Sequence, residues 1–363
     1  MVEIVKSHSK FDVFEVKLPT HREYSISVEA GGDRSLHTVL ADGLKELDAT
    51  PLNRFVLGGC QHFQPFVEKY GTPVSPLTWI QGDACELGEM FSTQVTALSG
   101  VEVTTIEFGG RVVGTAYEDQ YAKYVRLGGL LPSDVTASRE EQTRSIFENM
   151  RDLLKEQGMK YTDTVRTWLY LDDLLDWYDE FNAVRTQFFE EEGVFDAMVP
   201  ASTGIGAANP QGAAIIADVL AVVPKCDEVK IFPVDSPLQG SALDYRSSFS
   251  RAAEVELPTH RTLYISGTAS IAPEGETLHL DDSEKQIELS MKVAREILIS
   301  RGMDWGDVSR AIAYFKKRED IDLFKKYCLN HGIERFPHSV SHADVCRDDL
   351  LFEIELDAIK VTA

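Results

Sequence analysis

The residues with the clearest chemical potential lie near the C-terminus: His338-Ser-Val-Ser-His342-Ala-Asp-Val-Cys346-Arg347-Asp-Asp-Leu350-Leu-Phe-Glu353-Ile-Glu355-Leu-Asp-Ala-Ile359. From Leu350 the pattern has period two. Leu350, Phe352, Ile354, Leu356 and Ala358 share one face of a strand, and Leu351, Glu353, Glu355 and Asp357 share the other. The same alternation also suits a solvated edge strand. Two glutamates on one face, next to a thiol and a guanidinium, supply groups for proton transfer and for holding an anion. A carboxylic acid in a partly apolar pocket keeps its proton, because burial disfavours the charged form, and so can act as a general acid. Glu353 and Glu355 are the catalytic candidates.

A carboxylate-bearing ligand needs a fixed cation, and arginine offers a two-pronged donor. Arg185, Arg251 and Arg347 are the candidates. Thr203-Gly204-Ile-Gly206 is a glycine-punctuated segment whose amides can receive an oxygen, and Ser250 beside Arg251 is a candidate hydrogen-bonding group. Cys346 is expected to line the pocket as a small wall. A nucleophilic thiolate needs an adjacent base, and His342, four residues away on an extended segment, does not supply one.

Composition narrows the partners. The 363 residues carry 36 basic and 59 acidic side chains, a net charge of −23. Phosphate-rich partners need a basic surface, so nucleic acid and anionic membranes are not expected. No apolar run approaches the ~18 residues of a membrane span, and Met1 to Lys6 contains no signal-like apolar core. The cysteines, Cys60, Cys85, Cys226, Cys328 and Cys346, form no Cys-x-x-Cys pair. Neither a disulfide framework nor a zinc site is expected, and a cytoplasmic location is the simplest compartment. His338 and His342 have metal-ligand spacing but sit in a β-leaning stretch, so no metal and no cofactor are expected.

The elements that must carry these residues form a repeat. Ser138, with Glu141 three positions on, opens a helix whose apolar stripe is Ile146, Met150, Leu153 and Leu154, and Gly158 ends it. A strand through Val165, Trp168 and Tyr170 follows, then a helix with Leu174, Trp177, Tyr178, Phe181, Val184 and Phe188 inside. At an offset of 144, Gln286, Gly302, Met303, Asp307, Arg310 and Tyr314 repeat Gln142, Gly158, Met159, Asp163, Arg166 and Tyr170. A more diverged copy stands in front. There Leu18-Pro-Thr-His21-Arg22 matches Leu257-Pro-Thr-His260-Arg261, and a helix with Leu36, Val39, Leu40, Leu44 and Leu47 follows.

Each unit reads strand, strand, helix, strand, helix, strand and a final strand. That is an α+β unit, an antiparallel or mixed sheet with two helices on one face, whose other face must be covered by another unit. The expected division is 1–109 for a degenerate first unit, 110–224 for the second, 225–239 for a linker, and 240–363 for a third unit carrying the site.

This element order, with Tyr264-Ile-Ser266-Gly267-Thr268 and the closing Phe352-Glu353-Ile-Glu355, resembles the Rid/YjgF/L-PSP superfamily of chorismate-mutase-like units. A more specific likeness is to its tandem branch, the chorismatases. It is carried in order by Arg166-Thr-Trp168-Leu169-Tyr170, Pro200-Ala-Ser-Thr203-Gly204-Ile-Gly206, Ser236-Pro-Leu-Gln239-x-Ser241, Tyr245-x-x-x-Phe249-Ser250-Arg251, Ser266-Gly-Thr268-Ala-Ser270 and Ala343-Asp-Val-Cys346-Arg347. The resemblance implies cofactor-free hydrolysis of, or elimination from, a small carboxylated enol ether, with Glu353 donating a proton and Glu355 assisting. Arg185, Thr203, Gly204, Ser250, Arg251, Thr268, Cys346 and Arg347 would bind the substrate. It also implies either a homotrimer or a pseudo-trimer within one chain.

Two alternatives stand beside this reading: an enamine or imine deaminase of the simpler Rid type, and a non-catalytic small-ligand or scaffold protein. Simple Rid deaminases place an arginine fifteen residues before the first glutamate of the last strand. Here that residue is His338, and the matching position of the second unit is Ser202, with Ala217 expected where the glutamate would be. Chorismatases carry Asn where this chain has Leu169.

Overall fold

A computed structural model describes residues 3–6, 12–29, 35–82, 92–245, 247–333 and 336–362. Cys85 lies outside them. The first unit holds β1 (Glu3–Lys6), β2 (Asp12–Lys17), β3 (Arg22–Glu29), α1 (Leu36–Glu46), β4 (Thr50–Leu57), α2 (Phe63–Tyr70), β5 (Leu77–Ile80) and β6 (Ser92–Ser99). The second holds β7 (Thr104–Phe108), β8 (Arg111–Glu118), β9 (Ala122–Leu130), α3 (Arg139–Glu156), β10 (Thr164–Leu171), α4 (Tyr178–Glu191), β11 (Ala201–Gly206) and β12 (Ile215–Pro224). The third holds β13 (Lys230–Val234), β14 (Ala252–Glu256), β15 (His260–Ala269), α5 (Ser283–Ser300), β16 (Val308–Phe315), α6 (Ile321–Asn330), β17 (His338–His342) and β18 (Phe352–Val361).

Each unit forms one six-stranded sheet, and the three strand orders are equivalent: β1-β2-β3-β6-β4-β5, β7-β8-β9-β12-β10-β11 and β13-β14-β15-β18-β16-β17. Among the strand ladders of the described residues, only β4–β5, β10–β11 and β16–β17 are parallel. The fold is α+β, built of tandem units of one topology. The front unit, although diverged in sequence, has the same strand order as the other two. Each sheet has one more strand than the sequence pattern suggested, a short first edge strand, which in the second and third sheets is largely solvated. That strand reassigns two stretches. Thr104–Phe108, expected in the first unit, is the edge of the second sheet, and Lys230–Val234, expected in a linker, is the edge of the third.

The local signals act as expected. Ser138 Oγ accepts from the Glu141 amide at 3.2 Å, and Glu141 Oε2 accepts from the Ser138 amide at 3.0 Å. Gly158 and Gly302 end their helices at φ +73° and +66°, where a side chain would be strained. The Leu174 segment is a single tight turn, so α4 begins only at Tyr178. Gln142 and Gln286 have matching jobs. Gln286 Oε1 accepts from the Leu351 amide at 2.8 Å, and Gln142 Oε1 accepts from the Ala214 amide at 2.8 Å, so each pins the start of its unit's last strand.

One face of each sheet packs under its helices. In the third unit Met291, Ala294, Ile297 and Leu298 of α5 meet Phe352, Ile354, Leu356 and Ala358 of β18. The three helix-free faces share a second core. It joins Phe55 and Leu98 of the first sheet, Trp168, Tyr170 and Ile216 of the second, and Tyr264 and Tyr314 of the third. β18 is therefore not an edge. It lies between β15 and β16, with Glu353, Glu355 and Asp357 facing the junction of units at 4%, 0% and 6% exposure.

Candidate active site

Cross-strand register shows which positions are equivalent. Tyr170 pairs with Ile216 and Tyr314 with Glu353, while Trp168 pairs with Asp218 and Ile312 with Glu355. The second-unit counterpart of Glu353 is thus Ile216, not Ala217 as the sequence spacing suggested. Ala217 points the other way, into the core under α3 and α4, because neighbouring strand residues alternate between faces. In the first unit Leu57 pairs with Ser92, so Ser92 is the third counterpart.

The three units meet in a ring. Thr203 Oγ1 of β11 donates to Glu355 Oε2 at 2.6 Å. Thr78 Oγ1 of β5 donates to Asp218 Oδ1 at 2.5 Å. Gln94 Nε2 of β6 donates to Ser339 Oγ of β17 at 3.2 Å. These contacts are equivalent by register, one per junction, so the ring closes within one chain. Only the junction of the second and third units carries a carboxylate at the Glu353 position.

That junction holds a cleft of about 900 Å³. Its second-unit wall is α4, with Tyr178, Asn182 and Arg185, and β11, with Ser202 and Gly204. Its third-unit wall is the segment ending in Phe249 and Arg251, the loop carrying Cys346 and Arg347, and β15–β18 with Gly267 and Glu353. The β15–β18 ladder is bulged between Ile265 and Thr268. The bulge is tied to the second unit: the Gly267 amide donates to Thr203 Oγ1 at 3.0 Å, and the Ser202 amide donates to Ser266 Oγ at 2.9 Å. A side chain at 267 would overlap the Glu353 carboxylate. Glycine there lets the acid lie flat against the bulge.

Glu353 is the buried acid of this cleft, whose rim also carries the exposed Asp179 and Glu190. Its carboxylate makes no hydrogen bond or ion pair among the described residues. Burial, and then the nearby Glu355 carboxylate, push its pKa up to about 8 against the opposing pull of Arg166 and Arg251. Glu355 sits one layer beneath and does not reach the cleft. Arg166 Nη2 donates to its Oε2 at 2.6 Å and Arg310 Nη2 to its Oε1 at 2.5 Å. Arg310 Nη1 also meets Asp357 Oδ2 at 3.1 Å. The structure thus sets the two glutamates apart: Glu353 lines the cleft, and Glu355 is paired with two guanidiniums beneath it. Burial opposes the charge on Arg310, but Asp357 and Glu355 outweigh it and raise its pKa.

The binding candidates divide. Arg185, Gly204, Arg251, Cys346 and Arg347 line the cleft with Glu353. Thr203, Ser250 and Thr268 do not. Thr203 takes part in the Glu355 network, the Ser250 hydroxyl donates to Val199 O at 2.7 Å, and the Thr268 hydroxyl donates to Ser266 O at 2.9 Å. Arg185 is only 2% exposed although it is mid-helix. Its Nη2 donates to Asn182 Oδ1 at 2.5 Å, and its Nε has no partner among the described residues. Arg251 Nε donates to Gly240 O at 3.0 Å. Arg347 Nη1 donates to Gly275 O at 2.7 Å. Burial and the Glu353 charge push the Cys346 thiol up to about 12, so it stays a thiol and a wall. His338, at the deaminase-arginine position of the third unit, packs against Phe324 and Phe336 instead. Across the cleft from Glu353 the corresponding position is Ser202.

Sequence reasoning missed Arg166 and Arg310 as functional supports, although both were visible as repeat identities. It also missed Tyr178 as a cleft residue and Gly267 as the cradle of Glu353.

A family model described as endoribonuclease L-PSP matches residues 118–223, the second unit from the end of β8 almost to the end of β12. The second unit thus matches the L-PSP family, and the tandem arrangement resembles that of the Rid/YjgF/L-PSP superfamily. Among similar proteins, a chorismatase of Streptomyces hygroscopicus is 28% identical over 252 residues, 63% of this chain and 70% of the relative. A 3-hydroxybenzoate synthase of the same organism is 26% identical over 260 residues, 64% of this chain and 73% of the relative. A chorismatase crystal structure matches 94% of this chain and all of its own, with a TM-score of 0.69 and 20% identity, which supports the fold. No helix among the described residues is long and apolar enough to cross a membrane.

Proposed function

We propose that this chain is a chorismatase-like enzyme that cleaves the enolpyruvyl ether of chorismate, or of a closely similar carboxylated enol ether, without a cofactor. The observation that carries this reading is Glu353, a buried acid raised to about 8 and free of hydrogen bonds, on the floor of an arginine-lined cleft at one junction of three. The similarity to a chorismatase and a 3-hydroxybenzoate synthase supports the substrate class.

Protonated Glu353 donates to the terminal methylene carbon of the enol ether. Positive charge develops on the ether carbon, and the new carboxylate faces it. Water adds to that carbon, Glu353 recovers a proton, and the hemiketal expels the ring alcohol, leaving pyruvate. One water is consumed for each ether cleaved. An elimination would release pyruvate with a hydroxybenzoate and consume no water. Arg185, Arg251 and Arg347 hold the substrate carboxylates. The Glu355–Arg166–Arg310 cluster fixes β18 to β10 and β16, while burial, and then the Glu355 carboxylate, keep Glu353 protonated against the pull of Arg166.

Ser202, facing Glu353 where a deaminase would present a guanidinium, favours ether cleavage over imine hydrolysis. The test is incubation with chorismate, with pyruvate followed by lactate dehydrogenase and the ring product by chromatography. Pyruvate release above the uncatalysed rate supports the reading, and its absence removes this substrate class.

A further inference from the structure

Proton donation to the C3 methylene of an enol ether has a counterpart that needs no ether. Taking a proton from the C3 carbon of a 2-oxo acid uses the same group, run as a base, on a carbon in the same place. A 2-oxo acid presents a carboxylate, a ketone oxygen and an acidic C3–H on three adjacent carbons, and the cleft has a group for each. Arg251 and Arg347 on the third-unit wall are cations for the carboxylate. Arg185 stands on the second-unit wall. It is 2% exposed, and its Nε has no partner among the described residues. A buried donor without an acceptor is costly unless a ligand oxygen meets it. A ketone oxygen turning into an enolate is such an acceptor, because negative charge develops on it.

Glu353 suits the base by position. Its carboxylate lies flat on the Gly267 bulge, and no hydrogen bond or ion pair among the described residues occupies its oxygens. Facing it are Tyr178 of α4, Arg166 of β10, Arg251 before β14, Tyr314 of β16 and Cys346 before β18, with Glu355 beside it on its own strand. Burial pushes Tyr178 and Tyr314 well above the ordinary tyrosine range and Cys346 up to about 12, so none of these three changes charge near neutral pH. Glu355 is paired with Arg166 and Arg310. Glu353 itself titrates at about 8, so at pH 7 about a tenth of the chains carry it in the basic form. A carboxylate of this strength is a better base than an ordinary one, and both of its forms are populated where the protein works.

We propose that the cleft has a further activity, proton exchange at C3 of small 2-oxo acids such as pyruvate, with Glu353 as the base and Arg185 on the ketone oxygen. This rests on the reading of Glu353 as the group that reaches C3. The C3–H bond breaks and its proton passes to a Glu353 oxygen. The electron pair left behind forms the C2–C3 double bond, and the carbonyl pair moves onto the ketone oxygen. Glu353 trades its proton with water and returns one to C3, which restores the 2-oxo acid. Nothing is oxidised or reduced, and no co-reactant is consumed. Glu353 approaches from one wall, so the proton leaves and returns on one face of the enolate.

The test is proton NMR of pyruvate in deuterium oxide with the full chain, following loss of the methyl signal, beside a chorismate cleavage assay on the same preparation. The expected exchange saturates in pyruvate and drops about 10²-fold or more in Glu353→Gln. It rises with pH through about 8, where ether cleavage falls. 2-Oxobutyrate has two C3 hydrogens, and one exchanges in preference to the other, which NMR resolves after reduction by lactate dehydrogenase. If Glu353→Gln fails to fold by circular dichroism, the pH profile and this stereochemistry decide. Exchange no faster than in buffer overturns the inference, and chorismate cleavage by the same sample then leaves the proposed function standing. Exchange without cleavage supports the inference and removes chorismate as the substrate. Exchange unchanged in Glu353→Gln, or equal at both 2-oxobutyrate hydrogens, also overturns it.

Discussion

Glu353→Gln should change how stability depends on pH, with a magnitude that follows from the burial of this one group. In the folded chain Glu353 titrates at about 8, against an ordinary glutamate value of 4.5. Between those two values the folded state keeps a proton that the unfolded state has lost. Stability therefore falls as pH rises through this window. The contribution is fully present below about 4.5 and is gone above about 8. A shift of about 3.5 units at 1.36 kcal/mol per unit amounts to about 5 kcal/mol. Glutamine at 353 is a neutral stand-in for the protonated acid and does not titrate. The two proteins should match within about 1 kcal/mol at pH 5, and the variant should be more stable by several kcal/mol at pH 9. Asp218, raised to about 6 by burial, adds a slope of the same sign, but it is common to both proteins and cancels in the difference. Urea unfolding at pH 5, 7 and 9 measures this directly. Parallel stability curves for the two proteins would refute the claim that Glu353 is buried as an acid.

Further expectations concern its surroundings. Gly267→Ala places a methyl on the Glu353 carboxylate, and displacing the acid by about 1 Å should cost about 10²-fold in kcat with the fold retained, as read by kinetics and circular dichroism. Arg310→Met leaves Glu355 and Asp357 short of a buried counter-charge and should destabilise by about 3–5 kcal/mol in urea titration. Cys346→Ser should keep activity within about threefold, and the wild-type thiol should alkylate slowly at pH 8, because the thiol is held near 12. Arg251→Lys should raise KM about tenfold with a smaller change in kcat, since an ammonium cannot hold a carboxylate in two-pronged fashion.

Much of the architecture was legible from the repeat. The offset-144 identities and the alternation from Leu350 onward set out the units and the faces of β18, because helix and strand periods are dictated by burial. The edge strands were not legible: Thr104–Phe108 and Lys230–Val234 bury little on either face and so carry little hydrophobic pattern. The Ala217 register slipped by one because apolar residues occupy both faces of β12, which removes the alternation that would have marked its phase. Glu353 and Glu355 look equivalent in sequence. Their difference comes from Arg166 on a strand of another unit, a contact that spacing along the chain cannot show. Arg185 could be named as a candidate cation from its residue type, but the burial of its guanidinium in the middle of a helix was not legible.

The most direct measurement is the single-turnover rate of pyruvate release from chorismate by the wild-type chain and by Glu353→Gln, at pH 7 and saturating enzyme. Loss of the general acid should lower the rate by about 10²–10⁴-fold while chorismate still binds. A Glu353→Gln rate within threefold of wild type would contradict the assignment of Glu353 as the proton donor.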